Sequence, residues 1–260
     1  LYHHTVKAGY FDEAWHLYYN HLHKPLYYEI CAYEVDAQLL VSLLDANQSP
    51  LVQGAMSQTW ALIYLSMTYE RIGQLRSALA YAERAVALNR EKGTASDLGS
   101  SLVALSSVQS SLGLLRAARE ASAEAVAIFD TIADLNWYGI SHREYGYILI
   151  LCGDLVEAER QLDMAQEIYS LRSTQFTHGL INVNILRSDL LAARQDEAAA
   201  LDMAQRAYQA ALAERFYREA TNALYRLGRF QCAAGQWQEA QTSLETALQD
   251  CRRMRLAELE

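Results

Sequence analysis

Histidines are the first residues of this 260-residue chain whose type and spacing could do chemistry. They are densest at His3-His4 and at His21 and His23. A metal site needs three or four convergent ligands, and these two groups lie on different predicted helices with no second cluster at a suitable spacing. We interpret these histidines as surface or interface side chains. The sequence therefore predicts no metal site and no cofactor.

Nucleophilic and acid–base chemistry is not indicated either. A cysteine nucleophile needs a nearby base and an orienting group, and the sequence supports neither. Without a Cys-x-x-Cys pair, the cysteines are typical of small buried apolar residues in a reducing compartment. They are Cys31, Cys152, Cys232 and Cys251. Neighbouring carboxylates such as Glu157 and Glu159 face apart on a helix, so we expect no catalytic pair and no enzymatic activity.

Glycines mark a repeat that must position any functional side chain. Five segments share a glycine, a bulky residue two places later and an alanine three places after that. They run from Gly9 to Ala14, Gly73 to Ala78, Gly113 to Ala118, Gly153 to Ala158 and Gly235 to Ala240. The second, third and fourth glycines are 40 residues apart, and the last follows after 82. Such a period is typical of stacked repeats. Because each glycine has a turn or packing role, we predict no glycine-rich phosphate loop.

Small residues at fixed places explain how the repeated helices approach one another. Each turn glycine allows a left-handed backbone at the end of a helix. A second alanine follows seven residues after the first, on the same helix face, at Ala85, Ala125, Ala165 and Ala247. Small residues also lie seven places before the turn glycines, at Ser66, Ser106, Gly146 and Gly228. We therefore predict close helix crossings at both sets of positions.

This pattern resembles the tetratricopeptide repeat (TPR) family, whose unit is a helix–turn–helix. The resemblance is most specific from Gly235 to Ala247, with Leu227-Gly228 upstream. The usual TPR unit has about 34 residues, so a longer period implies longer helices. Arrays of this kind are similar to the C-terminal sensor arrays of bacterial STAND and maltose-regulator-like signal-transduction ATPases. Segment 24–30 with Ala32-Tyr33 also resembles the start of arrays in large bacterial switch proteins. The resemblance implies an all-α, right-handed α-solenoid of stacked TPR-like repeats.

We expect one TPR-like superhelical domain over residues 1–260, because no flexible linker divides the chain. It would contain a partial repeat over 1–22, an extra helix over 26–44, and repeats over about 55–92, 95–133, 136–171, 175–214 and 217–254. The repeat over 175–214 lacks a turn glycine, and residues 193–195 take its place. Ala200 and Ala207, seven residues apart, indicate its second helix. Because Leu1 begins inside a predicted helix without a cap, we expect a fragment of a larger protein.

Composition narrows the choice of partner. The formal net charge of −9 argues against a nucleic-acid surface, which needs a basic stripe. No apolar run is long enough to span a bilayer, and no signal peptide is visible. We expect a cytoplasmic location, no nucleic-acid partner in this domain and no membrane partner.

The first helix of each TPR pair lines the inner groove, so the resemblance implies that its residues offset from the packing stripe point into the groove and contact a partner. These candidates are Trp60, Ile63, Met67, Arg143, Tyr147, Asn184, Ser188, Asn222, Tyr225 and Arg229. One end of this set is apolar, while the other is similar to the family's clamps for peptide backbones and carboxylates. Alternatively, these residues are merely solvated, and the interface lies on the convex side or at the helix ends.

The resemblance implies non-catalytic recognition by a module of a bacterial signal-transduction protein. Such a module would bind a protein or peptide segment in its groove or act as a sensor. A small-molecule inducer-sensing domain of a transcription-regulating ATPase is one alternative, which makes a small molecule a further candidate partner. A structural assembly scaffold is the other.

Overall fold

The computed structural model describes residues 1–171 and 173–254, with residues 173–176 described by their backbone alone. Within these residues, every element of regular secondary structure is a helix. The β pairing among them is one isolated bridge between Leu44 and Pro50. None of the described helices has the length and apolarity needed to cross a membrane. The described residues group into two compact units, unit 1 over 1–128 with Met254 and unit 2 over 129–253, and each is described by itself. The interpretation as one domain stays a prediction.

Unit 1 begins with short helices and continues with long ones. Its elements are α1 (Tyr2–Lys7), α2 (Phe11–Leu17), two π-helical segments (Tyr18–Leu22 and Pro25–Glu29), α3 (Tyr33–Val41), α4 (Ala55–Arg71), α5 (Leu75–Lys92), α6 (Ala95–Ser111) and α7 (Leu115–Phe129), whose last residue belongs to unit 2. Thr94 starts α6 with a reciprocal capping box, in which its side chain and that of Asp97 each accept a backbone N–H.

The expected helix over 26–44 is interrupted in the structure. A π-helical segment covers Pro25–Glu29, the backbone of Cys31 has a φ of 54°, and α3 starts only at Tyr33. The helical run continues through Pro25 and ends at Glu29, where the N–H of Ile30 donates to the carbonyl of Pro25 at 3.0 Å and closes a wider turn. A right-handed helix cannot continue through the left-handed backbone of Cys31. The prediction of one continuous helix here is therefore wrong.

The core of unit 1 contains a buried polar network that corrects the surface interpretation of His23. His23 is buried, and its ring stacks on that of Tyr64 with 3.9 Å between centroids. Its Nδ1 lies 2.9 Å from the hydroxyl of Tyr18, which donates to Oδ1 of Asp36 at 2.7 Å. Thr68 donates to the other oxygen of the same carboxylate. Because buried polar groups need partners, this network fixes how α3 and α4 meet.

Unit 2 consists of long helices arranged in pairs. Its elements are α8 (Leu135–Cys152), α9 (Leu155–Leu171), α10 (Ser173–Ala193), α11 (Glu197–Ala213), α12 (Tyr217–Ala233) and α13 (Trp237–Met254). The interval between Gly153 and Gly235 contains α10 and α11, two separate helices in place of one long helix or a coil. Across both units we call α4, α6, α8, α10 and α12 the first helices, and α5, α7, α9, α11 and α13 the second helices.

Gln195 is the turn residue between α10 and α11. Its φ is 64°, in the left-handed region that Gly153 occupies with a φ of 81°. Its N–H donates to Ala192 at 2.9 Å, and the next N–H, that of Asp196, donates to Leu191 at 3.0 Å. The same pair of bonds closes the turn at Gly153, as expected for a Schellman-type helix end. A left-handed glutamine is strained relative to glycine, so this position was hidden from a search for glycines.

The small residues of the repeat lie where helices cross. The alanines predicted to be buried, Ala85, Ala125, Ala165 and Ala247, are at most 3% exposed, which confirms the prediction. A Cβ added to Gly146 would lie 3.0 Å from Leu162, and one added to Gly228 would lie 2.7 Å from Leu244. These contacts show that α8 approaches α9 closely, and α12 approaches α13 closely, at this position. Overpacking there is therefore expected to be costly.

Candidate functional site

The candidate site is a row of side chains on the first helices of unit 2. We define the first-helix face of unit 2 as the residues six, ten and thirteen places before the turn residues Gly153, Gln195 and Gly235. They are Ile140, Arg143, Tyr147, Asn182, Ile185, Asp189, Asn222, Tyr225 and Arg229. All except Ile185 are at least partly exposed. The helical period brings these positions to one side of each helix.

An ion pair joins α10 to α12 within this face. Nε of Arg226 donates to Oδ2 of Asp189 at 2.6 Å, and the two side chains are 12% and 16% exposed. Nη1 of Arg226 also donates to Oδ1 of Asn222, one helical turn earlier on α12. A partly desolvated guanidinium–carboxylate pair is stronger and better oriented than one at the surface. Arg226, which lies beside the face, therefore holds Asp189 and Asn222 of the face in place.

A second charged group lies at the start of α12. Oε1 of Glu219 accepts from Nε2 of His178 at 2.9 Å and also pairs with Arg218. Burial acts to raise the pKa of Glu219, but the charges of Arg218 and His178 and its hydrogen bonds hold that pKa well below its ordinary value. Glu219 is therefore ionised at neutral pH, although its side chain is only 5% exposed. The side-chain amide of Asn182 donates to the carbonyl of His178 at 2.9 Å, on the α10 side of this group.

Two arginines on the face have no carboxylate partner among the residues that the structure describes. Arg143 is half-buried on α8, and Arg229 is exposed on α12. The guanidinium of Arg229 lies 5.6 Å from the ring centroid of Tyr225, a cation–π arrangement that leaves its donors open. Both arginines can therefore donate to an incoming carboxylate.

Of the seven predicted residues within unit 2, five lie on this face. Arg143, Tyr147, Asn222, Tyr225 and Arg229 have the predicted positions and are partly or largely exposed. Ser188 is fully buried, and its hydroxyl donates to the carbonyl of Ile185 at 2.6 Å, so it cannot contact a partner as placed. Its place relative to Gln195 is that of Gly146 relative to Gly153, a helix crossing.

Asn184 is half-buried, but the register from Gln195 moves it off the face. It takes the place of His142 in α8 and Leu224 in α12, which are both buried. Asn182 and Asp189 occupy the face positions instead. The signal that could have found them is Ala200, because in every other repeat the first alanine follows the turn residue by five places.

The predicted apolar end of the site belongs to unit 1. Trp60 and Met67 are partly buried against the core of that unit, and the ring of Trp60 lies 5.5 Å from that of Tyr64. Ile63 is 1% exposed and is a core residue, so its prediction as a contact residue is wrong. An apolar side chain at this position gains more by burial under neighbouring helices than by facing solvent.

Sequence reasoning missed Asp189, Arg226, His178 and Glu219, whose partners lie on a neighbouring helix. No cluster of three or more His, Cys, Asp and Glu side chains within 1–171 and 173–254 has the arrangement of a metal site. The absence of metal and cofactor stays a prediction.

No protein-family model matches this chain. No curated protein sequence matches it either. Solved structures do. A Rap protein complexed with competence and sporulation factor has a TM-score of 0.70 at 12% identity, over 98% of this chain and 75% of that one. A thermophilic TPR protein from Thermus thermophilus has a TM-score of 0.55 at 18% identity, over 77% of this chain and 96% of that one.

A sensor-containing ATPase is also similar. It is a Signal Transduction ATPase with Numerous Domains with a tetratricopeptide repeat sensor, from Pyrococcus horikoshii. Its TM-score is 0.57 at 15% identity over 85% of this chain, which spans 33% of that protein. Together with the helix pairs described above, these similarities show an all-α fold of stacked TPR-like repeats.

Proposed function

We propose that this chain is a non-catalytic module that binds a protein or peptide segment on the first-helix face of unit 2. The observation that carries the proposal is the pair Arg143 and Arg229. Other charged groups on and beside this face are paired, as in Asp189 with Arg226 and Glu219 with His178. Two unpaired arginines in a chain of net charge −9 provide local positive charge where a partner can reach it.

The chemistry of the face favours an acidic segment or a C-terminal carboxylate. A guanidinium can bind a carboxylate through two parallel hydrogen bonds. Tyr147 and Tyr225 add rigid, amphipathic contact area beside the arginines. The similar Rap protein is complexed with a factor and the similar ATPase carries a TPR sensor, which supports a role in recognition. A signalling role in bacteria is part of the same proposal.

The test is a selection of linear peptides from a randomised display library on the immobilised protein, followed by fluorescence anisotropy. We expect enrichment of Asp, Glu or a free C-terminus, and binding that weakens with added salt. The double variant Arg143→Ala with Arg229→Ala should weaken binding at least tenfold, on the order of one lost charged hydrogen bond. Its melting temperature should match that of the parent.

Arg76 supplies the matched control. It is an exposed arginine of α5 in unit 1, so Arg76→Ala removes the same single charge as Arg143→Ala or Arg229→Ala alone, without touching the face. Equal weakening by Arg76→Ala would contradict the proposal. A small molecule retained in a native mass spectrum, with no peptide enriched, would favour the inducer-sensing alternative. A defined oligomer that binds neither would favour the scaffold.

A further inference from the structure

A buried hydrogen-bond chain in unit 1 fixes which nitrogen of His23 carries a proton. Asp36 accepts from Tyr18 at Oδ1 and from Thr68 at Oδ2, as an ionised carboxylate does. The hydroxyl of Tyr18 has a single proton and donates it to Asp36, so toward Nδ1 of His23, 2.9 Å away, it can only accept. Nδ1 of His23 is therefore the protonated nitrogen.

The other ring nitrogen of His23 is the open one. A neutral imidazole that is protonated at Nδ1 has a lone pair at Nε2, which makes Nε2 an acceptor. Within the residues that the structure describes, no group donates to Nε2, and this atom is not fully enclosed. The side chain of His23 is 8% exposed. The chain from Asp36 thus holds a single acceptor at the edge of a buried ring.

Tyrosine rings surround this imidazole. Tyr64 stacks on His23 with 3.9 Å between the ring centroids, and Tyr28 meets it edge-on at 5.7 Å. Tyr19 lies nearly parallel to Tyr64, with 6.3 Å between their centroids. Tyr19 and Tyr28 are about half exposed, so part of each ring is accessible. We call His23, Tyr19, Tyr28 and Tyr64 the His23 site.

The electrostatic environment of the His23 site favours positive charge. Burial raises the pKa of Tyr64 well above its ordinary value, and the nearby phenols of Tyr19 and Tyr28 and the carboxylate of Asp36 raise it further. The negative charge of Asp36 therefore acts on the site, and no lysine or arginine pairs with Asp36 among the described residues. The faces of the tyrosine rings are also electron-rich.

The two cationic side chains nearest to this region in the chain have other contacts. Nζ of Lys24, the residue after His23, lies 3.9 Å from Oε1 of Glu29. Nε of Arg71, at the end of α4, donates to the hydroxyl of Tyr27 at 3.0 Å. A buried carboxylate, an open acceptor and electron-rich rings are together complementary to a cation that also has N–H donors.

We propose that the His23 site binds a protonated primary amine, which donates to Nε2 of His23 and places its positive charge against the surrounding tyrosine rings. A cation that is hydrogen-bonded to Nε2 can also lie within about 6 Å of a neighbouring ring centroid, the range of a cation–π interaction. The ammonium group belongs either to a free alkylamine or to a lysine side chain. This site goes beyond the proposed function, because the arginines of that function lie in unit 2 and attract anions.

The assignment of the open nitrogen can be tested without any ligand. In protein labelled with ¹⁵N-histidine, the ring signals of His23 are identified by their loss in His23→Asn. At about pH 8, where a free imidazole is neutral, we expect two-bond ¹H–¹⁵N spectra to show Nδ1 protonated and Nε2 unprotonated. A ring that is protonated at Nε2 alone would overturn the proposal.

Binding is tested by titration with n-butylamine, which is protonated at the same pH. We expect a saturable shift of the His23 ring ¹⁵N signals, with the largest change at Nε2. Tetramethylammonium has the charge without an N–H donor and should bind more weakly, whereas butyrate should leave the signals unchanged. Absence of a saturable shift with butylammonium, or an equal shift with butyrate, would overturn the proposal.

Variants separate the rings from the acceptor. Tyr19→Leu and Tyr28→Leu should each weaken butylammonium binding about two- to fivefold, as expected for one exposed cation–π contact. Tyr10→Leu, at an exposed tyrosine elsewhere in unit 1, is the matched control and should have no effect. Unchanged binding in both Leu variants at 19 and 28, or equal weakening by Tyr10→Leu, would overturn the role of the rings.

His23→Asn retains an amide donor near the place of Nδ1 but has no counterpart of Nε2, so it should bind butylammonium at least threefold more weakly. Melting temperatures establish which variants are folded. If His23→Asn does not fold, the wild-type titration and the tyrosine variants still decide the proposal. Unchanged affinity in folded His23→Asn, measured by calorimetry, would overturn the role of Nε2.

The two sources of the ammonium group are compared with Nα-acetyl-lysine methylamide. An affinity equal to that of butylammonium supports a free amine, and tighter binding supports a lysine side chain of a partner. The same compound with an acetylated side chain lacks the charge, and equal binding of it would overturn the proposal. The double variant Arg143→Ala with Arg229→Ala should bind butylammonium like the parent, so failure of the proposed function leaves this test intact.

Discussion

Thr68 in α4 donates a 2.7 Å hydrogen bond to Oδ2 of Asp36 in α3, and both residues are fully buried. Tyr18 donates to the other carboxylate oxygen, Oδ1, and Nδ1 of His23 lies 3.9 Å from the same atom. A buried carboxylate is tolerated only when its oxygens are hydrogen-bonded. The contact therefore joins the irregular N-terminal helices to the first long helix of unit 1.

Loss of this contact should destabilise unit 1. Thr68→Val has nearly the same shape but leaves Oδ2 of Asp36 without its donor. We expect a loss of about 1–3 kcal/mol in the free energy of unfolding, because an unpaired buried acceptor costs its desolvation. Thr68→Ser retains the hydroxyl and should lose clearly less. Equal stability of the Val and Ser variants in urea unfolding would contradict this role of the hydrogen bond.

Two buried serines at equivalent crossings should respond differently to alanine. Ser66 has a buried hydroxyl without a hydrogen-bond partner, whereas Ser106 donates to the carbonyl of Val103 at 2.9 Å. Ser66→Ala removes an unsatisfied polar atom and should stabilise the protein by up to about 1 kcal/mol. Ser106→Ala should be neutral or slightly destabilising. Thermal melts check the sign, and a lower melting temperature for Ser66→Ala would show that its hydroxyl has a stabilising role.

Enlarging a crossing alanine should be costly. Ala125 in α7 is 0% exposed, while Ala127 on the same helix is exposed. Ala125→Leu should lose about 1–3 kcal/mol by overpacking, and Ala127→Leu should change stability little. In a repeat array each repeat contacts only the adjacent repeats. The rate of amide hydrogen exchange should therefore increase mainly around α7. Matching melts for both variants would contradict the close crossing.

The stability contributed by Glu219 should depend on pH with a definite sign. Arg218 and His178 hold the pKa of Glu219 below its ordinary value of 4.5. The stability that ionised Glu219 contributes is therefore fully present above about pH 4.5. It is lost as the pH falls through the lower pKa of Glu219 in the folded protein. At pH 7, Glu219→Gln should be less stable than the parent by about 1–3 kcal/mol.

The measurement is the difference in melting temperature between parent and Glu219→Gln from pH 7 to pH 3. We expect the difference to shrink below about pH 4.5, where the unfolded chain binds a proton that the folded chain does not. Glu239→Gln, at an exposed position in the first turn of α13, is the control. A difference that stays constant over the whole range would show that the charge of Glu219 contributes nothing.

The helix pairs and their close crossings could be predicted from the sequence because both depend on local, periodic signals. The spacing of the turn glycines indicates the pairs, and Ala200 with Ala207 indicates the pair that has no glycine. The same signals were less reliable at the N-terminus. There the left-handed backbone of Cys31 divides the expected helix, and the structure has a π-helical segment before it.

The candidate face was predictable only in part. A turn residue at 195 places Asn182 and Asp189 on it, but a glutamine in a left-handed conformation gives no signal by its type. Without this turn residue the register of α10 was misjudged. Asn184 and the buried Ser188 were therefore predicted in place of Asn182 and Asp189. Ile63 shows a second limit, since its helical position is outward but its apolar side chain is buried among neighbouring helices.

By itself the sequence determined that this chain folds as stacked helix pairs with small residues at the crossings, because spacing along one helix fixes which side chains share a face. Only the tertiary structure decided which charged and polar side chains are paired. Arg226 and Asp189 are 37 residues apart, and Tyr18 and Asp36 are 18 apart. Such pairs depend on how helices pack, and on the first-helix face this packing leaves Arg143 and Arg229 without a carboxylate partner among the described residues.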